Sequence, residues 1–125
     1  MNVGELKAGR ELDALVWLAL NDHPLDLMNC RYVDGDIQPH AGYPFGHISP
    51  APSSTGPVSM FMLIDDLINN HSVWRFEVSM VIPNSDPVVW EVLVNDSHAV
   101  GDTMQEAVAK AAIKVVTDGK LQKER

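Results

Sequence analysis

Between positions 7 and 21, Leu12, Leu15, Val16, Ala19 and Leu20 recur at helical spacing, while Arg10, Glu11, Asp13 and Asn21 fall elsewhere on the wheel. The spacing predicts a first helix, closed at His23-Pro24 because the residue before a proline is driven out of the helical region. A second helix is predicted over 57–70, where Ser53-Ser54-Thr55-Gly56 supplies a cap and Pro57 takes the first helical position, at which its missing N–H costs nothing. Its inner arc reads as Met60, Phe61, Ile64, Leu67 and Ile68, with Met62, Asp65 and Asp66 on the other side.

The period then changes from helical to two. Trp74, Phe76, Val78, Met80 and Ile82 alternate with Val73, Arg75, Glu77, Ser79 and Val81, and Val88, Trp90, Val92 and Val94 repeat the pattern. The connection Pro83-Asn84-Ser85-Asp86-Pro87 is rich in turn formers, so the two runs predict an antiparallel hairpin. After a turn at Asn95-Asp96-Ser97, His98-Ala99-Val100 predicts a short strand, and Thr103-Met104-Gln105-Glu106 has the capping-box pattern that opens a last helix. That helix is expected to reach about Asp118, with Met104, Ala107, Val108, Ala111 and Val115 inside and Gly119 placed to end it.

The segment 23–55 breaks this regularity. It holds five of the eight prolines, and only 29–33 reads as a short strand, ended by the turn chemistry of Asp34-Gly35-Asp36. The remainder is expected to be one long irregular loop, of a kind that usually serves function. The resulting fold class is α+β: three helices packed on a small antiparallel sheet, in the order α, short β, α, β-hairpin, short β, α. The chain forms one domain, 1–125. Because the alternate face of the hairpin carries Arg75, Glu77, Glu91 and Asn95, a sheet covered on one face is expected.

A chain of 125 residues closes one core and leaves no room for a second, and 46% hydrophobic with 21% charged residues is globular composition. The formal charge of −8 is unevenly spread: 14 acids and 4 bases precede Thr103, whereas 3 acids and 5 bases follow from it. Such an acidic body excludes phosphate-backbone binding by the surface as a whole and suits a partner with a basic surface; no direct nucleic-acid contact is expected. Cys30 is the single cysteine, which suits a reducing compartment, and the apolar run 14–20 is far short of the roughly 20 residues of a membrane span. A soluble cytoplasmic protein without membrane contact is the expectation.

Candidate chemistry is sparse. There is no Cys-x-x-Cys, no His-Glu-x-x-His, no calcium-loop spacing at Asp34-Gly35-Asp36 and no phosphate or dinucleotide fingerprint among the glycines. Cys30 and the five histidines lack any nucleophile motif. Adjacent Asp65 and Asp66 diverge by about 100 degrees on a helix, which does not make a catalytic carboxylate pair. No catalytic residue, cofactor or metal follows from motifs. Two surfaces remain. Trp17, Leu18, Met62 and Ile113 fall outside their helices' inner arcs and, with Asp65 and Asp66, form a candidate interface for a protein partner or a homodimer. Arg31, Tyr32, His40, Tyr43 and His47 make the long loop a candidate ligand site, closing over a nucleotide-like molecule whose phosphates Arg31 or Arg75 would meet. A metal-dependent hydrolase using His40 and His47 is the third reading.

The octet Gly9-Arg10-Glu11-Leu12-Asp13-Ala14-Leu15-Val16 resembles the opening of small bacteriophage and prophage proteins, the phage ABA-sandwich domain and its NinX-like relatives. Pro52-Ser53-Ser54-Thr55, Trp74-Arg75-Phe76 and Glu106-Ala107-Val108-Ala109-Lys110-Ala111-Ala112 stand where those proteins carry a Pro-x-Ser-Thr-like segment, an aromatic strand pair and an Ala-rich final helix. The resemblance implies a three-layer α/β/α sandwich and a phage-encoded accessory protein in the cytoplasm of an infected bacterial host, and it transfers no catalytic residue. The leading expectation is thus a non-enzymatic protein that works by binding, as an acidic inhibitor of a host or defence protein.

Overall fold

The computed structural model describes residues 5–33, 36–39, 50–82 and 88–123. Helix α1 (Arg10–Leu20) is followed by a 3-10 turn (Leu27–Asn29), strands β1 (Cys30–Val33) and β2 (Asp36–Pro39), helix α2 (Pro57–Asn70), strands β3 (Phe76–Val81), β4 (Val89–Val94) and β5 (Ser97–Gly101), and helix α3 (Met104–Lys123). The protein is α+β, with three helices and a three-stranded antiparallel sheet in the order β3-β4-β5. Strands β1 and β2 form a separate antiparallel pair, Val33 opposite Asp36, so part of the expected loop is a hairpin. The sequence pattern predicts only the first of these two strands.

Helix α3 sits between the sheet and the other helices: it packs on β4 and β5 on one side and on α1 and α2 on the other. Helix α1 in turn has β2 on its far side. A helix covered on two sides has no polar stripe, and from Glu106 to Ile113 every residue of α3 is buried. Small side chains permit this: Ala107, Ala109, Ala111 and Ala112 let sheet and helices approach while Val108, Ile113 and Val115 fill the space between. The helix does not stop at Gly119 but continues to Lys123; one glycine in a helix interior costs only about 1 kcal/mol.

Among the described residues, α3 meets the sheet through the face that carries Val92, Val94 and Ala99. The opposite face, with Glu77, Ser79, Glu91, His98 and Val100, has no helix on it among the described residues. The arrangement is therefore sheet, then α3, then α1, and differs from an α/β/α sandwich with the sheet in the middle. The polar alternation of β3 and β4 is the reason, since two carboxylates under a helix would need partners.

Three local devices set the chain's path. Thr103 Oγ1 accepts from Glu106 N–H at 3.2 Å, and the Glu106 carboxylate turns back to accept from Asp102 N–H at 2.6 Å, giving the expected capping box with its return bond moved one residue. The β4–β5 turn puts Asn95 at φ 54, and its Oδ1 accepts from Trp74 N–H at 2.9 Å, which fixes the start of β3. Gly101 lies where β5 meets α3: a Cβ there would stand 2.8 Å from Ala107 N and 2.8 Å from Glu106 Oε2. Gly101→Ala is expected to lower unfolding stability by about 2 kcal/mol in urea titration through this overpacking; a loss below about 0.5 kcal/mol would contradict the close approach of β5 to α3.

Candidate functional site

The residues singled out by sequence separate into buried and exposed groups. Leu18 and Ile113 are buried in the core and offer no surface, because α1 and α3 are each covered on two sides. Trp17 is half-buried and stacks on His23 with ring centroids 5.6 Å apart and planes 9° apart. Met62 is exposed, Asp65 is exposed and Asp66 is partly so. Of the loop residues, Arg31 and Tyr32 lie on β1 opposite Gln38 and Ile37, while His40, Tyr43 and His47 fall outside the described residues. Arg75, at the start of β3, forms an exposed pair with Glu77 at 3.0 Å.

Helix α2 is where the inner arc departs from expectation. Met60, Leu63 and Leu67 are buried, whereas Phe61 and Ile68 face out. Apolar residues occupy so much of α2 that no single stripe was defined. The result is an outward apolar face: Val58, Phe61, Met62 and Ile68 are 72, 62, 68 and 50% exposed. At 100° per residue these four positions fall within about one-third of the helix circumference, with Asp65 at the middle. Asp65 Oδ1 accepts from Asn69 Nδ2 at 3.1 Å and Asp66 Oδ1 from Asn70 Nδ2 at 2.6 Å, one turn on. Both carboxylates are thus held on the helix and stay accessible. Large apolar side chains thus surround an acidic group on this face, on a helix that among the described residues packs chiefly against α3.

The buried polar groups have structural partners. Asp13, 1% exposed, accepts from Ser54 N–H at 2.8 Å and the Ser54 hydroxyl at 2.6 Å on Oδ1, and from Arg10 at 3.0 Å on Oδ2. Ser54 Oγ also accepts from Gly9 N–H at 2.9 Å, and Gly9 holds φ 150, a region that favours glycine. Sequence reasoning put Asp13 on the polar side of α1 and Ser54 in a helix cap. The structure joins them instead, so the start of α1 and the segment 52–55 are clasped together. Glu106 and Lys110, both buried, lie 3.5 Å apart, and Glu106 Oε1 accepts from Ala8 N–H at 3.1 Å.

On the outer sheet face, Glu77, Ser79, Glu91, Leu93 and His98 line a shallow open groove of about 180 Å³. Among the described residues no group of three or more His, Cys, Asp or Glu is placed to hold a metal ion. Cys30 is buried, and burial together with the Asp26 carboxylate pushes its thiol up from the ordinary 9.0. No helix among the described residues is long and apolar enough to cross a membrane. No family model matches the chain, and no curated protein or solved structure matches it.

Asp13→Ala strands the Ser54 donors and Arg10, and is expected to cost about 3 kcal/mol in urea unfolding. Ser54→Ala should cost about 1–2 kcal/mol, and the double variant less than the sum because both break one network. Strict additivity would contradict the clasp. The Cys30 thiol should alkylate far more slowly in the native protein than in urea at neutral pH. With the folded pKa raised, the unfolded chain releases its proton first, so stability should fall as pH rises through and above 9.0, and a Cys30→Ala variant should lose that component.

Proposed function

We propose that this chain is a phage- or prophage-encoded accessory protein that acts by binding a host or defence protein with a basic surface, through the outward face of α2. The observation that carries the reading is the exposed apolar stripe Val58, Phe61, Met62 and Ile68 around Asp65, on a helix that among the described residues packs chiefly against α3. Interfaces draw most of their energy from a few apolar and aromatic anchors, and acidic groups beside them select the partner and speed its encounter. The charge of −10 before Thr103 extends that selection over the surrounding surface. Inhibition follows if the basic surface so covered is the partner's own nucleic-acid site. The phage origin rests on the resemblance of Gly9–Val16 and of 52–55, the segments that Asp13 and Ser54 hold together.

The test compares immobilised wild-type protein with a Phe61→Ser, Met62→Ser double variant in capture from host-bacterial lysate. Both positions are exposed, so the variant should keep its fold and its thermal midpoint. A partner bound through α2 should be lost by at least about 30-fold in the variant, the equivalent of one hot spot. It should also be released from wild type as salt rises from about 50 to 300 mM, where screening shortens the reach of surface charge. A captured protein indifferent to both the substitutions and salt would overturn the reading.

A further inference from the structure

The two edges of the three-stranded sheet are treated differently. Strand β5 lies against α3, its His98 carbonyl accepts from Lys114 Nζ at 2.8 Å, and Ser97 Oγ donates to Asp118 Oδ2 at 2.8 Å. Helix α3 thus takes up one of that edge's outward carbonyls. Strand β3 pairs only with β4 among the described residues, and α3 packs chiefly on β4 and β5. Natural edge strands are usually blunted by lysine, proline or a bulge. The run Phe76–Val81 has no lysine or proline, and its pairing with β4 is continuous from Phe76 opposite Val94 to Val81 opposite Val89.

The register shows which backbone groups point away from β4. Asn95 N–H donates to the Arg75 carbonyl at 2.9 Å, and Phe76 stands opposite Val94. Antiparallel pairs alternate, so Arg75, Glu77, Ser79 and Val81 direct their N–H and C=O groups to β4, while Phe76, Val78 and Met80 direct theirs outward. The same three residues share the apolar face of the sheet with Trp90, Val92 and Val94. Met80 is exposed, as are Trp74 and Ile82 just beyond the strand ends.

We infer that β3 is the contact between two copies of this chain, paired antiparallel about a two-fold axis through Val78 to make one six-stranded sheet. In this register Val78 meets Val78 of the second copy, Phe76 meets its Met80, and Trp74 comes alongside its Ile82. All three are apolar pairs on the same face, and each hydrogen-bonded position of one edge meets a hydrogen-bonded position of the other. The charges also fit: Glu77 stands opposite Ser79 and Arg75 opposite Val81, so no like charges face each other directly although each chain carries −8. A two-fold contact needs one patch complementary to itself, which this strand supplies and an arbitrary peptide does not. The strip offers on the order of 500 Å² per copy, below the roughly 800 Å² of a standard stable interface, so the dimer is expected in the micromolar range. It uses the β3 edge and leaves the α2 face to a different partner.

Sedimentation velocity from about 1 to 500 μM tests it. Wild type should pass from the monomer mass of 13.8 kDa to twice that across the series. Val78→Pro removes an outward N–H without removing a bond to β4, and should hold the protein monomeric throughout. Met80→Lys places a charge at the edge and should weaken association at least about tenfold; it decides the matter if the proline variant does not fold. Amide exchange of Phe76, Val78 and Met80 should slow with concentration while that of Glu77 and Ser79 stays constant. A monomer at the highest concentration, or a dimer unaffected by Met80→Lys and without added protection at those three amides, would overturn the inference. Either result would leave capture through α2 untouched.

Discussion

Helix α3 is buried on two sides, and Glu106 in its first turn is the group that makes this geometry work. Its carboxylate, 2% exposed, takes Asp102 N–H on one oxygen and Ala8 N–H on the other, with Lys110 beside it. One side chain thus fastens the end of β5, the start of α3 and the segment that leads into α1. A buried carboxylate is tolerated only when its oxygens are satisfied, so these contacts constrain one another. The alanines that follow let the sheet and α1 close on α3 from opposite sides, and Gly101 must lack a side chain because Glu106 and Ala107 stand against it.

The free surfaces follow from this arrangement. With α3 taken up between β4, β5, α1 and α2, no helix among the described residues lies on the outer sheet face or on the far side of α2, and β3 is the sheet edge away from β5. The first of these surfaces is polar and needs no cover. The other two are apolar and exposed, the outward face of α2 and the edge of β3. A clasp between Asp13 and Ser54 brings the start of α1 against the segment before α2, and that segment's turn ends at Gly56, where α2 begins with Pro57. The apolar face of α2 is therefore held in place both by these buried polar bonds and by the packing of Met60, Leu63 and Leu67 in the core.

Elements specified by local chemistry were legible in the sequence. The hairpin of β3 and β4 follows from a change of period flanked by turn formers, α2 begins at Pro57 as its missing N–H predicts, and Thr103 and Glu106 open α3. What was not legible depends on how many sides of a helix are covered. Leu18 and Ile113 look surplus to a single inner arc and are core residues on doubly covered helices; the alanine content of α3 was the available signal. Phe61 and Ile68 exchange roles with Leu63 because α2 is apolar almost all round, and position alone cannot choose its inner face. Strand β2 was missed although Asp34-Gly35 is a strong two-residue hairpin signal, since Gln38 and Pro39 are poor strand formers. Of the candidate interface, Met62 and Asp65 are on the surface beside Val58, Phe61 and Ile68, and helical spacing alone puts Phe61 and Ile68 on the inner arc.

Native-state amide hydrogen exchange, resolved by residue, addresses the central role of α3 most directly. If α3 is the element on which both sides of the molecule are built, the amides of 107–116 and of β4 should exchange only through global unfolding, with the highest protection in the chain. The amides of α2, covered on one side, should open locally at lower free energy. Exchange in α3 that is as fast as in α2, or that persists under conditions where α2 remains protected, would contradict the account.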